Sequence, residues 1–320
     1  MRIVFPFWLL TPSSLSLDDL NLLNGFNGFI GDEQMTAEQT DLAYPVIPAD
    51  RGDDLHNLEF ADSADLVLFV AGNQFMVMKE LLGPFQSQYP GINRIFCETL
   101  PPGLELKQIL AGGAVFKDKL IDVLPDVYAS VSEVAMKQLE ARNLISGEDY
   151  FLYLHNRIVL MVPEGNPARI NAVQDLGRSE VRISQPNPEY EDIAFHIMNM
   201  YRDAGGETLV HRIMEEKRAE GTTILTTVHH RETPLRIEKG EVDVGPVWST
   251  EIKHAQHHNL PVDVVDPGEG LDQRKKINYY ICPLKSSTNP ENGAKFLQFI
   301  KSSKAQGIYK KYGFIPHFST

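Results

Sequence analysis

Residues 65–80 read DLVLFVAGNQFMVMKE and contain the turn around which the fold is organised. Residues 66–71 form a short apolar run, rich in branched side chains, of the length expected for a strand that is buried on both faces. Gly72 ends this run, and Asn73 is a suitable N-cap for a helix over residues 74–82. A strand that turns at glycine into a helix presents unpaired backbone N–H groups and the positive end of the helix dipole. The stretch therefore predicts a turn that can bind a negative or polar group.

The same order of strand, loop and helix follows twice more along the chain. Residues 94–98 predict a strand that ends at Thr99 and leads into a helix over residues 104–110. Residues 125–129 predict a third strand, and Ser130 begins the loop before the next helix. Parallel strands place their carboxyl ends at one edge of a sheet, so we expect the three loops to share that edge. Ligands bind at this edge in open α/β folds.

The acidic balance of the chain bears on its partners. The 320 residues are enough for two globular lobes, and the formal net charge is −13. Nucleic acids and anionic membranes select basic surfaces, so we expect neither as a partner. We also expect a monomer.

The first 63 residues carry −9 of that charge. Their scattered glycine, asparagine, aspartate and proline residues predict an acidic leader that is extended or partly ordered. A short apolar run at residues 3–10 follows Met1-Arg2, which leaves open whether the leader holds a secretion signal. Both an extracytoplasmic and a cytoplasmic location therefore stay open at this point.

The two cysteines, Cys97 and Cys282, are too few for a disulfide framework. Both lie in predicted strands, which favours buried free thiols over a bridge. No cysteine spacing typical of a metal site occurs in the chain. We expect no cofactor.

A second array of strands and helices follows the first. Residues 150–162 (YFLYLHNRIVLMV) favour one extended strand that runs from the first array into the second, and residues 277–284 (INYYICPL) predict a strand that returns. Two α/β lobes joined by two strands form a hinge that can close around a ligand. The expected organisation is a leader at residues 1–63, lobe I at residues 64–157 plus 281–320, and lobe II, inserted into lobe I, at residues 158–280.

Several segments together resemble a known family. The order AGNQF, ETLPPGLELKQIL, PDVYASVSE, NRIVLMVPEGNP, RISQPNPEYEDIAFHI, GEVDVGPVW and AQGIYKKYGF is similar to the molybdate-binding type of extracytoplasmic solute-binding proteins. The resemblance covers roughly residues 64–316. It implies a two-lobed class II periplasmic-binding-protein fold that delivers a small polar or anionic solute, such as molybdate or tungstate, to an ABC transporter permease. It also implies a periplasmic or extracytoplasmic location and no catalytic activity.

The resemblance also implies a set of ligand-binding residues. In that family, backbone N–H groups and small hydroxyls on loops that face the cleft hold the oxyanion. The positions that match are Asn73, Gln74, Thr99, Ser130, Asn187, Tyr190, His229, His230, Arg231 and Trp248.

Three departures from the family pattern leave the ligand open. The first loop lacks its usual hydroxyl, and Trp248 stands where the family has tyrosine. Glu98 is expected to put a negative charge near the mouth of the cleft. Structural duties also compete with ligand binding: Asn73 and Ser130 can serve as helix caps, and Gln74 can be an exposed helix residue.

The basic cluster at residues 229–232, His-His-Arg-Glu, admits two chemistries. Arg231 can offer a bidentate fork to a carboxylate or an oxyanion. A zinc-dependent hydrolase built on His229, His230 and Glu232 is a weaker alternative, since adjacent histidines point apart and the H-E-x-x-H spacing is absent. No G-x-S-x-G elbow or glycine-rich phosphate loop supports catalysis. A cytoplasmic ligand-sensing module on the same fold is the other alternative.

Overall fold

The structure is a computed structural model that describes residues 43–131, 133–189, 191, 193–227 and 232–320. Within these residues the chain folds as mixed α/β structure. Most of the predicted leader, with any secretion signal, lies outside the described residues. No helix in the described part of the chain is both long and apolar enough to cross a membrane.

The described strands are numbered in chain order. They are β1 Val46–Ile47, β2 Leu55–His56, β3 Leu66–Phe69, β4 Ile95–Glu98, β5 Ala114–Phe116, β6 Lys119–Ile121, β7 Val127–Ser130, β8 Phe151–His155, β9 Ile158–Pro163, β10 Ile183–Gln185, β11 Thr223–Leu225, β12 Gly245–Trp248, β13 Val262–Val265, β14 Asn278–Pro283 and β15 Ile315–Pro316.

The described helices are numbered in the same way. They are α1 Phe75–Gln88, α2 Pro102–Ala111, α3 Glu133–Ala141, α4 Ile193–His211, α5 Lys217–Ala219, α6 Glu232–Glu238, α7 Ser249–His257, α8 Pro290–Ile300 and α9 Ser303–Lys311. Short 3₁₀ turns cover Ala49–Asp54, Leu58–Ser63, Gly72–Gln74 and Val173–Gly177, and a π-helical turn covers Arg212–Glu216.

The first lobe is built on a seven-stranded sheet in the order β15-β8-β14-β7-β3-β4-β2. The three predicted βα units supply β3, β4 and β7, which run parallel to one another. Along β3, Leu66 and Leu68 belong to one apolar core, and Val67 and Phe69 belong to the other. The strand is therefore buried on both faces, as the sequence predicts.

The second lobe holds an antiparallel sheet, β12-β9-β13, and a parallel pair, β10-β11. A parallel bridge between Ile183 and Val244 joins the pair to the segment that leads into β12. The carboxyl ends of β10, β11 and β12 therefore lie at a common edge. This is the edge at which ligands bind in open α/β folds.

The connection between the lobes differs from the single extended strand predicted over residues 150–162. Asn156 and Arg157 interrupt it, so that β8 belongs to the sheet of the first lobe and β9 to that of the second. The break occurs where two polar residues stand between apolar runs. The return strand is confirmed as β14, which pairs with β7 and β8.

Helix α1 also differs from its prediction. It continues to Gln88 instead of ending near residue 82, with Pro84 inside it. Val77, Leu81 and Phe85 are buried and extend the apolar stripe beyond the proline. Burial of that stripe outweighs the cost of the N–H that proline lacks.

Both cysteines are buried free thiols, as predicted. Cys97 lies on β4 and Cys282 on β14, and the strands β3 and β7 separate them in the sheet. Three inter-strand steps of about 4.8 Å place them far beyond the reach of a disulfide.

Candidate functional site

The candidate site lies where the loops at the carboxyl edges of the two sheets approach each other at the hinge. In the first lobe, β3 leads into the 3₁₀ turn Gly72–Gln74. In the second lobe, β12 ends at Trp248, and α7 starts at Ser249. The backbone N–H of Ser249 donates to the carbonyl oxygen of Arg157, which fixes the start of α7 against the crossing between the lobes.

Asn73 joins these parts through a chain of buried hydrogen bonds. Its side-chain amide lies 2.5 Å from the hydroxyl of Tyr279 on β14. Asn156 Nδ2 lies 3.3 Å from the same hydroxyl and 3.5 Å from Oγ1 of Thr250. Ser249 Oγ donates to Asn156 Oδ1 at 2.9 Å. The network thus runs from the first loop of one lobe, through the hinge, to the helix start of the other.

Asn73 is not the N-cap that the sequence predicts. Helix α1 starts at Phe75, and no side chain caps it or the preceding 3₁₀ turn. The Asn73 amide is turned toward Tyr279 instead, and its second polar atom, Oδ1, is buried without a partner among the described residues. A buried polar atom without a partner is rare enough to point to a missing one.

Gln74 is completely buried rather than exposed. Gln74 Nε2 donates to the Tyr153 hydroxyl at 2.8 Å, and the Tyr309 hydroxyl donates to Gln74 Oε1 at 2.9 Å. Both amide atoms are therefore engaged inside the first lobe. Gln74 anchors the turn that carries Asn73, because its two phenol partners lie on β8 and α9.

Trp248 closes the second-lobe side of the site. Its side chain is 4% exposed, and its ring centroid lies 6.0 Å from that of His196 on α4. Burial, with a smaller contribution from the positive charge of Lys276, lowers the pKa of His196 to about 4. The imidazole is therefore neutral near pH 7 and acts here as a polar aromatic surface.

The two lobes also touch beside this point. The ring of Phe75, the first residue of α1, packs at 5.2 Å and 66° against His254 on α7. Glu251, in the first turn of α7, is buried and contributes to the raised pKa of Tyr279, for which burial is the main cause.

The loop after β4, which begins at Thr99, does not contribute to the site in the way the sequence suggests. Thr99 Oγ1 lies 2.8 Å from His56 Nε2, and the Thr99 backbone N–H donates to the carbonyl oxygen of Asp54 at 2.9 Å. The hydroxyl is thus engaged with the strand β2 rather than with the turn at Asn73. The backbone of Thr99 does approach the turn at Gly72, since a Cβ on Gly72 would lie 3.0 Å from the Thr99 carbonyl oxygen.

Glu98 does not put a negative charge at the mouth of the cleft, contrary to expectation. Its side chain is fully buried inside the first lobe and accepts a hydrogen bond from Gln108 Nε2 at 3.0 Å. Burial raises the pKa of Glu98 to about 8, so the group is mostly protonated at neutral pH. Gln108 lies on helix α2, so the carboxyl group of Glu98 meets that helix inside the first lobe.

Ser130 and Asn187 occupy strand ends on different lobes. Ser130 ends β7, is 1% exposed and pairs with Tyr280, the neighbour of Tyr279. Asn187 follows β10, and its Oδ1 accepts a hydrogen bond from the backbone N–H of Glu189. It borders a groove of about 570 Å³ lined by second-lobe residues on and around β11.

Tyr190, His229, His230 and Arg231 lie outside the described residues. Their neighbour Glu232, a member of the hydrolase alternative, accepts a hydrogen bond from the backbone N–H of Thr227 and pairs with Arg236 at 2.8 Å. No group of three or more metal-type side chains occurs among the residues that the structure describes.

Sequence reasoning missed the residues that tie the site together. Asn156, Tyr279, Ser249 and Thr250 were not predicted as part of it, although Asn156 and Arg157 form a polar break in an apolar run. Tyr279 and His196 carry no such sign, because each lies in an ordinary apolar pattern.

Several solved structures share this fold. The periplasmic molybdate-binding protein of Azotobacter vinelandii is 19% identical, with a TM-score of 0.61, and the match covers 78% of this chain and 98% of that one. The sulfate-binding protein SubI of Mycobacterium tuberculosis is 17% identical, with a TM-score of 0.63 and coverage of 79% and 86%. Iron-bound HitA of Pseudomonas aeruginosa is 16% identical, with a TM-score of 0.58 and coverage of 78% and 85%.

These likenesses show the fold and confirm the expected two-lobed class II periplasmic-binding-protein architecture. No curated protein matches the sequence significantly. The model of one family, described as bacterial extracellular solute-binding protein, matches residues 66–315. The chain therefore belongs to the bacterial extracellular solute-binding proteins.

Proposed function

We propose that this solute-binding protein captures a small polar or anionic solute, such as an oxyanion, between its lobes outside the cytoplasm and delivers it to an ABC transporter permease. Membership of the solute-binding family supports the proposed role in transport. The molybdate- and sulfate-binding structures that share the fold are consistent with an oxyanion as the solute.

The observation that supports the location of the site is the buried hydrogen-bonded chain between Asn73 and Ser249. It joins the loop after β3 to the start of α7, so a solute bound there contacts both lobes. Contact with both lobes is what makes closure of a hinge depend on the solute.

The positive potential that an anion requires comes from local groups, because the chain as a whole is acidic. The turn Gly72–Gln74 leads into α1, where backbone N–H groups at the helix start favour negative charge. Arg231, with His229 and His230, is the proposed source of cationic charge.

The proposed contacts divide into two kinds. Asn73, Ser130, Trp248 and Arg231 are proposed to touch the solute. Gln74 and Thr99 are proposed to hold the loops in place, since their side chains already have partners within the first lobe. Asn187, Tyr190, His229 and His230 complete the proposed set on the second lobe.

A thermal-shift panel tests the proposal with sulfate, molybdate, tungstate, phosphate, small carboxylates and the salts of zinc and ferric iron. At one hundred times the dissociation constant, a ligand stabilises the folded protein by about 2.7 kcal/mol. At least one anion should therefore raise the melting temperature clearly. A panel without any response, or a response to metal salts alone, contradicts the anionic solute.

Paired variants locate the site. Ser130→Ala and Arg231→Ala should weaken binding of the responding anion. Ser87→Ala removes an exposed hydroxyl on α1 that donates only to the Gly83 carbonyl oxygen, so it should leave binding unchanged. Equal effects of Ser130→Ala and Ser87→Ala would place the site elsewhere.

A further inference from the structure

Two histidines from distant parts of the chain meet at the edge of the first-lobe sheet. His155 ends β8, and His317 directly follows β15, the strand beside β8 in the sheet. Ile315 lies opposite His155 in the antiparallel register, so His317 is the diagonal neighbour of His155 on the same face. His155 Nε2 lies 3.1 Å from His317 Nδ1. No sequence spacing reveals the pair, because 162 residues separate its members.

Asn278 determines which nitrogen of His155 carries the proton. Asn278 begins β14, the strand on the other side of β8, and its Oδ1 lies 2.7 Å from His155 Nδ1. An amide oxygen only accepts hydrogen bonds, so His155 Nδ1 carries the proton and Nε2 keeps its lone pair. Histidines that bind metal ions are commonly arranged in this way, with the other ring N–H donated to an oxygen atom. The unprotonated nitrogen of His155 therefore faces His317.

His317 is held in place by its backbone. Its N–H donates to Oε1 of Gln306 at 3.1 Å, and Gln306 is fully buried. The residue itself is exposed, and its ring atom Nε2 has no partner among the described residues. Without a metal ion, His317 Nδ1–H donates to His155 Nε2. Exchange of that proton through solvent to Nε2 of His317 leaves two lone pairs that face each other.

The separation of the two nitrogen atoms suits a shared metal ion. Two nitrogen ligands at about 2.0–2.1 Å from a tetrahedral zinc ion lie about 3.3 Å apart. The observed distance of 3.1 Å is close to this value, so a small rotation of the exposed His317 ring admits the ion. Neutral imidazole is a good ligand for zinc, nickel and copper, whereas calcium and magnesium select oxygen ligands.

We propose that His155 and His317 bind one divalent transition-metal ion, of the zinc, nickel or copper class, through Nε2 and Nδ1 respectively. Asn278 is the positioning residue that holds His155 in the required tautomer. No third histidine, cysteine, aspartate or glutamate joins the pair within the described part of the chain, so water completes the coordination. The inference does not rest on the proposed function, because both histidines lie beside β8 and β15 and not at the turn Gly72–Gln74.

A bound ion joins β15 to β8 directly before the hinge residue Asn156. The strand β15 consists of Ile315–Pro316 alone, and its proline has no N–H to donate, so few backbone hydrogen bonds hold it. The ion should therefore stabilise the folded chain, which alone brings the two histidines together. Partial burial and repulsion from His155 lower the pKa of His317, so protons compete little with the ion at neutral pH.

Isothermal titration calorimetry of the full chain, without an affinity tag, tests the site with the chlorides of zinc, nickel and copper(II). The wild-type protein should bind copper more tightly than nickel or zinc, and magnesium and calcium should give no signal at this site. His317→Ala should abolish binding of the zinc ion. His211→Ala is the matched control: it removes an exposed histidine that pairs only with Glu216 at 3.3 Å, so it should leave zinc binding unchanged. Equal zinc binding by the wild-type protein and His317→Ala, or none by either, would overturn the proposal.

The positioning role of Asn278 has its own variants. Asn278→Ala should weaken zinc binding about tenfold, because His155 then loses the acceptor that fixes its tautomer. Asn278→Asp should bind zinc more tightly than the wild-type protein, because a carboxylate accepts the Nδ1–H more strongly and makes Nε2 more basic. Nitrogen-15 NMR of the metal-free protein should show His155 protonated at Nδ1. Protonation at Nε2 instead, or equal zinc affinities of all three proteins, would overturn this role.

Thermal unfolding of His317→Ala separates this site from the solute site. Zinc should raise the melting temperature of the wild-type protein, and that rise should be absent in His317→Ala. The response to the anion that binds the wild-type protein should be the same in both proteins. If His317→Ala lost the anion response as well, the two histidines would belong to the solute site, and the proposal of a separate metal site would be wrong.

Discussion

Gln108 donates a 3.0 Å hydrogen bond to a carboxyl group, that of Glu98, which has no exposed surface. Glu105 lies in the same interior and accepts a hydrogen bond from the backbone N–H of Leu100 at 3.1 Å. Burial raises the pKa of both carboxyl groups. Repulsion from Glu98 raises the pKa of Glu105 further. The first lobe thus encloses two acidic groups directly behind the loop after β4.

Glu98 should make the stability of the protein depend on pH. Its pKa is about 8 when folded, against 4.5 for an exposed glutamate, so the folded state holds a proton that the unfolded state releases. The free energy of unfolding should therefore fall as the pH rises from about 4.5 to about 8. Glu98→Gln removes the part of this dependence that Glu98 contributes, and chemical denaturation of both proteins at several pH values measures it.

Glu98→Gln should increase the free energy of unfolding by at most several kcal/mol at pH 8, and hardly at all at pH 4. Glu241→Gln, at an exposed turn, serves as the control and should change the pH profile little. A wild-type profile that is flat between pH 5 and 8 would show that Glu98 is not held protonated.

Lys217 is a buried lysine whose ammonium group satisfies two backbone carbonyl oxygens. Its Nζ donates to the carbonyl oxygens of Arg178 and Val181 at 2.6 Å each. Lys217→Met keeps the apolar stem but leaves both acceptors unsatisfied, so we expect a loss of about 2–4 kcal/mol in unfolding free energy. Urea denaturation measures the change. The exposed Lys239→Met should have little effect, and an equal effect of the two would refute this role of Lys217.

Gly245 allows β12 to pass close to helix α6. A Cβ at this position would lie 2.2 Å from Cγ2 of Thr233 and 3.1 Å from the carbonyl oxygen of Ser184. Gly245→Ala should therefore cost about 1–3 kcal/mol and weaken solute binding, because α6 must move relative to the strand that ends at Trp248. Thermal unfolding and binding of the responding anion measure both effects.

Gly307 is the matched control for this substitution. It lies inside helix α9, where an added Cβ meets nothing within 4 Å. Gly307→Ala should stabilise the protein by up to about 1 kcal/mol and leave solute binding unchanged. A stable, fully active Gly245→Ala variant would contradict the close approach of β12 to α6.

The two thiols should be unreactive in the folded protein. Burial raises the pKa of Cys97, as do the nearby Glu105 and Glu98, and burial also raises the pKa of Cys282. The thiolate is the reactive species, so labelling by a disulfide reagent at pH 8 should be slow until denaturant is added. Mass spectrometry after labelling counts the modified thiols. Rapid modification of either cysteine without denaturant would show that its strand opens locally.

The sequence by itself determined the order of the elements and the class of the fold. The three turns after β3, β4 and β7 follow from apolar runs that end at glycine, threonine or serine, which are local signals. Patterns of this kind depend on neighbours in the chain and can be read from them.

Only the tertiary structure decided which side chains meet at the hinge. Asn73 and Tyr279 are 206 residues apart, and their hydrogen bond replaces the helix cap that local reasoning predicts. Glu98 is buried because its strand is covered on both faces, and Gln108 on helix α2 supplies its hydrogen bond. Asn156 and Ser249 meet because two sheets cross at the hinge. Such contacts depend on how distant segments pack, and no short stretch of the sequence contains them.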